Sequence, residues 1–337
     1  MEKKLSLVKD EIVRILNGMA QGLFASLIIG LIIKQIGTYA HIDLLVNIGQ
    51  IAQYMTGPAI GAGVAYAVKA PSLAIFSAAA AGAVGAGTIN LATGALALGE
   101  PLGATIAALM GAYSGKWISG KTKVDILLVP LSTIIIGGLT GIFISPVVAS
   151  MMNALGSFIN SLTTMYPFPM GVLVSTVVGM VLTLPISSAA ICISLGLDGL
   201  AAGAACVGCC CQMVGFAVSS YRENKIGGLI SQGLGTSMLQ IPNIWKNWKI
   251  WIPPTLASAI LGPISTCVFK MTNNASGAGM GTSGLVGQFN AVAVMGVEKI
   301  PTIILMHFIL PAILSLIFSE FMRKKGWIKS GDMLLSV

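Results

Sequence analysis

Charge is what this 337-residue chain has least of: 19 basic and 11 acidic side chains make up 9% of it. Soluble domains carry roughly 25%, so an ordinary water-facing surface cannot be assembled from this sequence. Disorder is excluded by the opposite argument. Unfolded chains are poor in apolar residues, whereas 55% of these residues are hydrophobic. Aromatics are scarce at 7%, and there are two histidines. The six cysteines sit in apolar segments, four of them between Cys206 and Cys211, which is no disulfide framework. Cys206, Cys209 and Cys210 share a helix face, and three thiolates there would suit a soft metal. Their Gly and Ala neighbours favour the plainer reading of Cys as a small hydrophobe, so no metal or cofactor is expected. Walker, HExxH and paired-carboxylate patterns are also missing, and no catalysis by this chain alone is expected.

What is present is apolar sequence from end to end, with mean hydropathy +0.89. The expected class is an all-α polytopic membrane protein in contact with lipid, its helices packed through the 41 glycines and the alanines. Ten apolar runs are expected to cross: residues 17–36, 44–68, 72–92, 102–118, 124–144, 170–184, 226–241, 252–269, 278–296 and 300–321. Between the sixth and seventh lies an Ala/Gly/Ser/Cys-rich stretch, 185–220, broken at Gly196-Leu197-Asp198-Gly199. It is expected to form a re-entrant hairpin of two half-length helices, a shape tolerated only when buried in protein or lining a cavity. The chain divides into an N-terminal bundle at 1–144, an amphipathic connector at 145–169 and a C-terminal bundle at 170–337. The connector carries Met151, Met152, Leu155 and Phe158 at helical spacing.

The net charge of +8 is explained by position, and no nucleic-acid partner is implied. Lys3, Lys4, Lys9 and Arg14 precede the first run, and Arg323, Lys324, Lys325 and Lys329 follow the last. Lys116, Lys121 and Lys123 lie between two runs. Basic residues concentrate in cytoplasmic loops, so both ends are expected in the cytoplasm, with Lys246 and Lys249 opposite Arg222 and Lys225. The basic N-terminus has no small-x-small cleavage site and is read as a retained first helix.

One pattern occurs three times: Gly85-Ala86-Gly87-Thr88, Gly233-Leu234-Gly235-Thr236 and Gly279-Met280-Gly281-Thr282. The last two continue into Ser237 and Ser283. Each copy is followed within eight residues by an amide, Asn90, Gln240 or Gln288. Glycines unwind helices and expose backbone groups, and broken helices at related places in two halves point to a binding site. Packing by a Gly-rich chain is the competing reading. Gln240 and Asn243 bracket Pro242, which frees backbone carbonyls. Glu223 and Asn224 belong to the densest polar cluster between apolar runs, either a surface loop or the mouth of a pathway. His307 is an ionisable residue inside a span, which is a functional candidate by default. Asp198 is either a helix cap or a ligand. The candidate substrate-binding set is Glu223, Asn224, Thr236, Ser237, Gln240, Asn243, Thr282, Ser283 and His307.

Five stretches, at 17–37, 119–131, 182–205, 215–244 and 251–270, carry a family resemblance. They include LTLPISSAAICISLGLDGLAAGAA, SSYRENKIGGLISQGLGTSMLQIPNI and WIPPTLASAILGPISTCVFK. The chain resembles the membrane subunit IIC of the phosphoenolpyruvate-dependent sugar phosphotransferase system, in its stand-alone branch of perfringolysin (toxin) regulator proteins. The resemblance implies a ten-helix homodimeric transporter of a bacterial plasma membrane, with re-entrant hairpins and an elevator-like transport domain. It also implies uptake of a sugar-like solute coupled to phosphorylation by cytoplasmic IIA and IIB proteins. It does not assign roles to Glu223 or His307, which remain candidate acid–base or hydroxyl-binding groups. A membrane-embedded ligand sensor and a non-phosphorylating carrier are the alternatives. An even number of crossings requires single cysteines at positions 3 and 335 to label from the same side of the membrane. Labelling from opposite sides would break the even count.

Overall fold

Apolar runs too long for ordinary strands and interspersed with small residues should make helices, and they do. The computed structural model describes residues 2–89, 94–163 and 165–335, with an all-α architecture. Two compact units divide between Met151 and Met152. The first contains α1 (Glu2–Leu23), α2 (Ile29–Ala40), α3 (Asp43–Tyr54), α4 (Thr56–Ala67), α5 (Ser72–Ala86), α6 (Pro101–Ile118) and most of α7 (Asp125–Thr163). A wide π turn, Phe24–Ile28, joins α1 to α2. Residues 145–163, the larger part of the expected connector, continue α7 without a break, through Pro130 and Pro146. Small residues set the spacing in this unit: a Cβ on Gly22 would lie 2.7 Å from the Ala59 carbonyl carbon. The core beside α4 and α5 is made of Ala65, Val68, Ala74, Ala78, Ala112 and Val129. The first repeat ends α5, with Gly87 left-handed at φ +65° and Thr88 buried. Its amide Asn90 lies outside the described residues.

The second unit begins within the end of α7 and continues through ten further helices. They are α8 (Pro167–Thr183), α9 (Ser188–Ser194), α10 (Gly199–Ser219), α11 (Tyr221–Ile230), α12 (Ile241–Lys246), α13 (Ile252–Pro263), α14 (Ala275–Ala278), α15 (Val286–Met295), α16 (Ile300–Ile304) and α17 (Leu310–Lys324). Proline opens α8, α12, α13, α16 and α17, where the missing N–H costs nothing. The hairpin expected over 185–220 has one short arm, α9, and one full-length arm, α10. Gly196 and Gly199 turn between them at φ +58° and +59°. α10 is apolar or small at every position except Gln212 and is almost wholly buried, so it forms the axis of the unit. α8 packs against it at backbone contact, where a Cβ on Gly179 would sit 2.7 Å from the Gly208 carbonyl oxygen, and α13 packs against both.

Among the described residues, five helical stretches are long and apolar enough to cross a membrane by length and composition: Asp10–Ala40, Asp125–Thr163, Gly199–Ser219, Trp248–Val268 and Val297–Lys324. Two other segments expected to cross double back instead. Asn224 and Gln240 both donate to the Met333 carbonyl, at 2.8 and 3.0 Å, and Asn243 donates to the next carbonyl, Leu334, at 2.9 Å. A straight helix over 226–241 would separate its ends by about 24 Å, so this segment is a hairpin. Its flanks lie together, and Lys246 and Lys249 are not on the side opposite Arg222 and Lys225. Likewise, Asn274 donates to Asn290 at 3.0 Å and Asn273 to the Gly287 carbonyl at 3.0 Å, which folds 278–296 back on itself.

Gly208→Val would place a branched side chain against the Ser175 backbone. Overpacking of this kind costs about 1–3 kcal/mol, and the expected outcome is a lowered melting temperature in detergent. Gly138, in α7, faces open space: a Cβ there would meet nothing within 4 Å. Gly138→Ala should therefore be neutral or stabilising, by up to about 1 kcal/mol.

Candidate functional site

Glycine, threonine and serine at a helix break leave carbonyls open and put hydroxyls beside them. In this protein the two breaks satisfy each other. The second repeat ends a π turn, Ser231–Gly235, and Thr236 is extended at φ −159°. The third turns through Gly281 and Gly284, at φ +54° and +52°. Gly281 also lies against Cys209, so a Cβ would be excluded by space as well as by conformation. Thr282 Oγ1 donates to the Gly233 carbonyl at 2.5 Å, and Ser283 Oγ to the Gly235 carbonyl at 2.7 Å. Thr236 Oγ1 accepts from Met238 N at 3.2 Å. Each repeat is thus the tip of a re-entrant hairpin, and the tips meet. Ser237 Oγ lies 2.8 Å from Thr183 Oγ1, which leads to Gln212 Oε1 at 3.3 Å and on to the Trp251 indole at 2.9 Å. Thr183, Gln212 and Trp251 were not anticipated from the sequence. A single glutamine within the 21 residues of α10 is the signal that marks Gln212.

Both hairpins belong to a chain whose family can be stated. The family model described as "Phosphotransferase system, EIIC" matches residues 13–335. The chain belongs to the EIIC family. No curated protein and no solved structure matches it. An EIIC chain is a multi-pass membrane component of the phosphotransferase system, in keeping with the apolar helices. The nine candidate residues of this EIIC protein fall into three groups. Thr236, Ser237, Thr282 and Ser283 are at the hairpin tips. Glu223, Asn224, Gln240 and Asn243 gather around residues 331–335, and His307 stands apart from both.

The second group is a clasp. Besides the three amide bonds to Met333 and Leu334, Asn224 Oδ1 accepts from Leu335 N at 2.9 Å, and Glu223 Oε1 accepts from Gly331 N at 3.0 Å. Gln240 also donates to Gln232 Oε1 at 2.8 Å. Asn247 donates to Asp332 Oδ2 and to the Trp327 carbonyl. Glu223 pairs with Arg323 at 3.2 Å, their side chains 6% and 11% exposed, whereas the Arg222–Glu320 pair is open to solvent. Met333 and Ile328 are fully buried. These polar side chains therefore hold a turn-rich segment of their own chain.

His307 lies in the π turn Leu305–Ile309. Pro311, four residues on, would clash with the His307 carbonyl in a regular helix, which accounts for the wide turn. The ring Nδ1 is 3.0 Å from Gln288 Nε2.

At the Gly196–Gly199 turn lies an open cavity of about 470 Å³. Asn160, Thr163 and Asp198 supply its polar lining, and Met165, Met170 and Leu197 are among its apolar walls. Asp198 stands at the N-cap position of α10 without a side-chain cap bond, so capping does not occupy its carboxylate.

Asn224→Leu removes one donor from Met333 and the acceptor for Leu335. Gln240 still donates to Met333, so the loss falls on the Leu335 N–H and on one of two donors to Met333, about 1–3 kcal/mol in all. Amide exchange at 333–335 should accelerate by roughly 5- to 150-fold. Arg222→Gln, at an exposed pair worth about 0–1 kcal/mol, should leave exchange there nearly unchanged.

Proposed function

We propose that this EIIC protein carries a small polyhydroxylated solute, sugar-like in its chemistry, across a bacterial plasma membrane. The reading rests on one observation: two hairpin tips of the same sequence, Gly-x-Gly-Thr-Ser, face each other through hydroxyl–carbonyl bonds. Every polar group at that junction is neutral and is either a donor or an acceptor matched to a hydroxyl. A solute with several hydroxyls can replace those bonds one for one as the tips part, whereas a cation would lack a carboxylate. Broken helices whose freed backbone groups meet a ligand are a recurring transporter device. Thr236, Ser237, Thr282 and Ser283 are the proposed solute ligands.

Uptake is coupled to phosphorylation by separate IIA and IIB proteins, in keeping with the EIIC family. The basic clusters at 116–123 and 323–329 suit docking of such partners on the cytoplasmic side, which also holds both ends of the chain. A homodimer is the proposed assembly. A second reading of the solute's seat is the cavity beside Asp198, favoured by its volume, which falls in the ordinary range for small-molecule sites.

Binding of candidate sugars to the purified protein, and uptake into vesicles, test this. Thr282→Val and Thr236→Val should weaken binding by roughly 5- to 150-fold, the cost of one unpaired partner. Asp198→Asn should then change little. The reverse pattern moves the solute to the cavity. Uptake without any phosphoryl donor would make the protein a plain carrier, and binding without uptake would make it a sensor.

A further inference from the structure

Besides the hairpin tips and the clasp, the second unit contains one more group of polar atoms that converges from separate elements. Cys206 and Cys210 are one helical turn apart on α10, so their thiols share a face. The π turn before Pro311 brings His307 to that face. One ring nitrogen of His307 and the two Sγ atoms all lie within 4.8 Å of one another. The two cysteines are fully buried, and His307 is 1% exposed. Sequence spacing hides this set, because the third member is not one of the neighbouring cysteines. Cys209 instead meets Gly281, and Cys211 belongs to the apolar cluster with Val207, Leu261 and Met306.

A second observation at the same place is independent of that spacing. Gln288 follows the third repeat on α15 and is 8% exposed. Its Nε2 lies 3.0 Å from His307 Nδ1 and 3.4 Å from Cys210 Sγ, while its Oε1 has no hydrogen-bond partner. A buried amide oxygen left unpaired is costly. Rotation of the amide about its last bond would turn this oxygen toward the thiols and the imidazole.

We propose that Cys206, Cys210 and His307 bind a zinc ion, with the Gln288 amide as fourth ligand or as the group that orients the imidazole. Charge decides the choice of ion. The fully buried polar residues among those described are serine, threonine, asparagine, glutamine and one histidine, so no counter-charge is at hand. A divalent ion with two thiolates and neutral ligands has zero net charge, and the two thiol protons leave as the ion is bound. A monovalent soft ion on the same ligands would leave a buried negative charge, which is expensive. Sulfur and imidazole donors suit zinc. Zn–S and Zn–N bonds of about 2.3 and 2.0–2.1 Å put ligand atoms roughly 3.5–3.8 Å apart, so the cluster closes by at most about 1 Å on loading. The ion would tie α10, α15 and the Leu305–Ile309 turn together. This inference goes beyond the transport reading and does not depend on it.

The test uses full-length protein purified in detergent, without chelator, from cells grown with added zinc, and in parallel with added cobalt. Elemental analysis should find about one zinc per chain. The cobalt form should show the thiolate charge-transfer band and the visible bands of a tetrahedral site. Cys206→Ser, Cys210→Ser and His307→Gln should each lose most of the metal and the charge-transfer band while eluting as monodisperse protein. Cys209→Ser and Cys211→Ser should keep both. Wild-type protein with neither zinc nor cobalt overturns the proposal, whatever the variants do. Metal retained in the Cys206→Ser/Cys210→Ser double variant overturns it as well.

Discussion

The second unit depends on backbone meeting backbone along α10. Gly208 lies against the Ser175 main chain, Gly203 against that of Met271, and on the neighbouring pair Gly262 lies against Gly171. In lipid, apolar side chains gain little from leaving their surroundings, so close approach of small residues drives association. At this separation there is no room for side chains between α8, α10 and α13, and hydroxyls bridge the helices instead. Ser175 donates to the Ser258 carbonyl at 2.8 Å, and Ser258 to that of Gly208 at 3.2 Å. That contact fixes the height of Gln212, Cys206 and Cys210 on α10, and so fixes what the hairpins and the His307 turn can reach.

Electrostatics divides the unit in the same way. Apart from His307, the buried polar side chains described in this unit are amides and hydroxyls, most of them drawing on a neighbour's carbonyl or side chain. The formal charges that are partly shielded, Glu223 and Arg323, sit where α10 and α17 end and the 331–335 segment begins. A buried pair of this kind is costly to break because one partner is left unpaired. It therefore serves as a fixed corner for the clasp, while the tips of the hairpins stay neutral.

Composition was enough to reveal the class of fold, since 9% charge with 55% apolar residues leaves few alternatives. The Gly-x-Gly-Thr-Ser repeats were visible as helix breaks, and the structure gives the last two a common role as hairpin tips. Their consequence for topology was not visible. Hydropathy scores an apolar segment such as 226–241 alike whether it crosses or turns back, because glycine, threonine and serine at the turn barely lower the average. The clasp was hidden for another reason: its acceptors are the carbonyls of Met333 and Leu334, and a backbone carbonyl has no sequence signature. Asn224, Gln240 and Asn243 could be recognised as polar residues in search of partners, but not as partners of residues 91 to 109 positions away. His307 was marked by its rarity, whereas its nearness to Cys206 and Cys210 required a turn that Pro311 imposes through geometry.

The clasp also has a consequence in time. Met333 and Leu334 are made 91 to 109 residues after the amides they satisfy. At roughly 5–20 residues per second, the bonds to the 333–334 carbonyls can form only on the order of 5–20 s after the amides are made. Until then the amides of Gln240 and Asn243 bond within the hairpin, to Gln232 and to Gln240 respectively. The clasp therefore closes only after residues 331–335 are made, and the hairpin synthesised earlier takes its final contacts late.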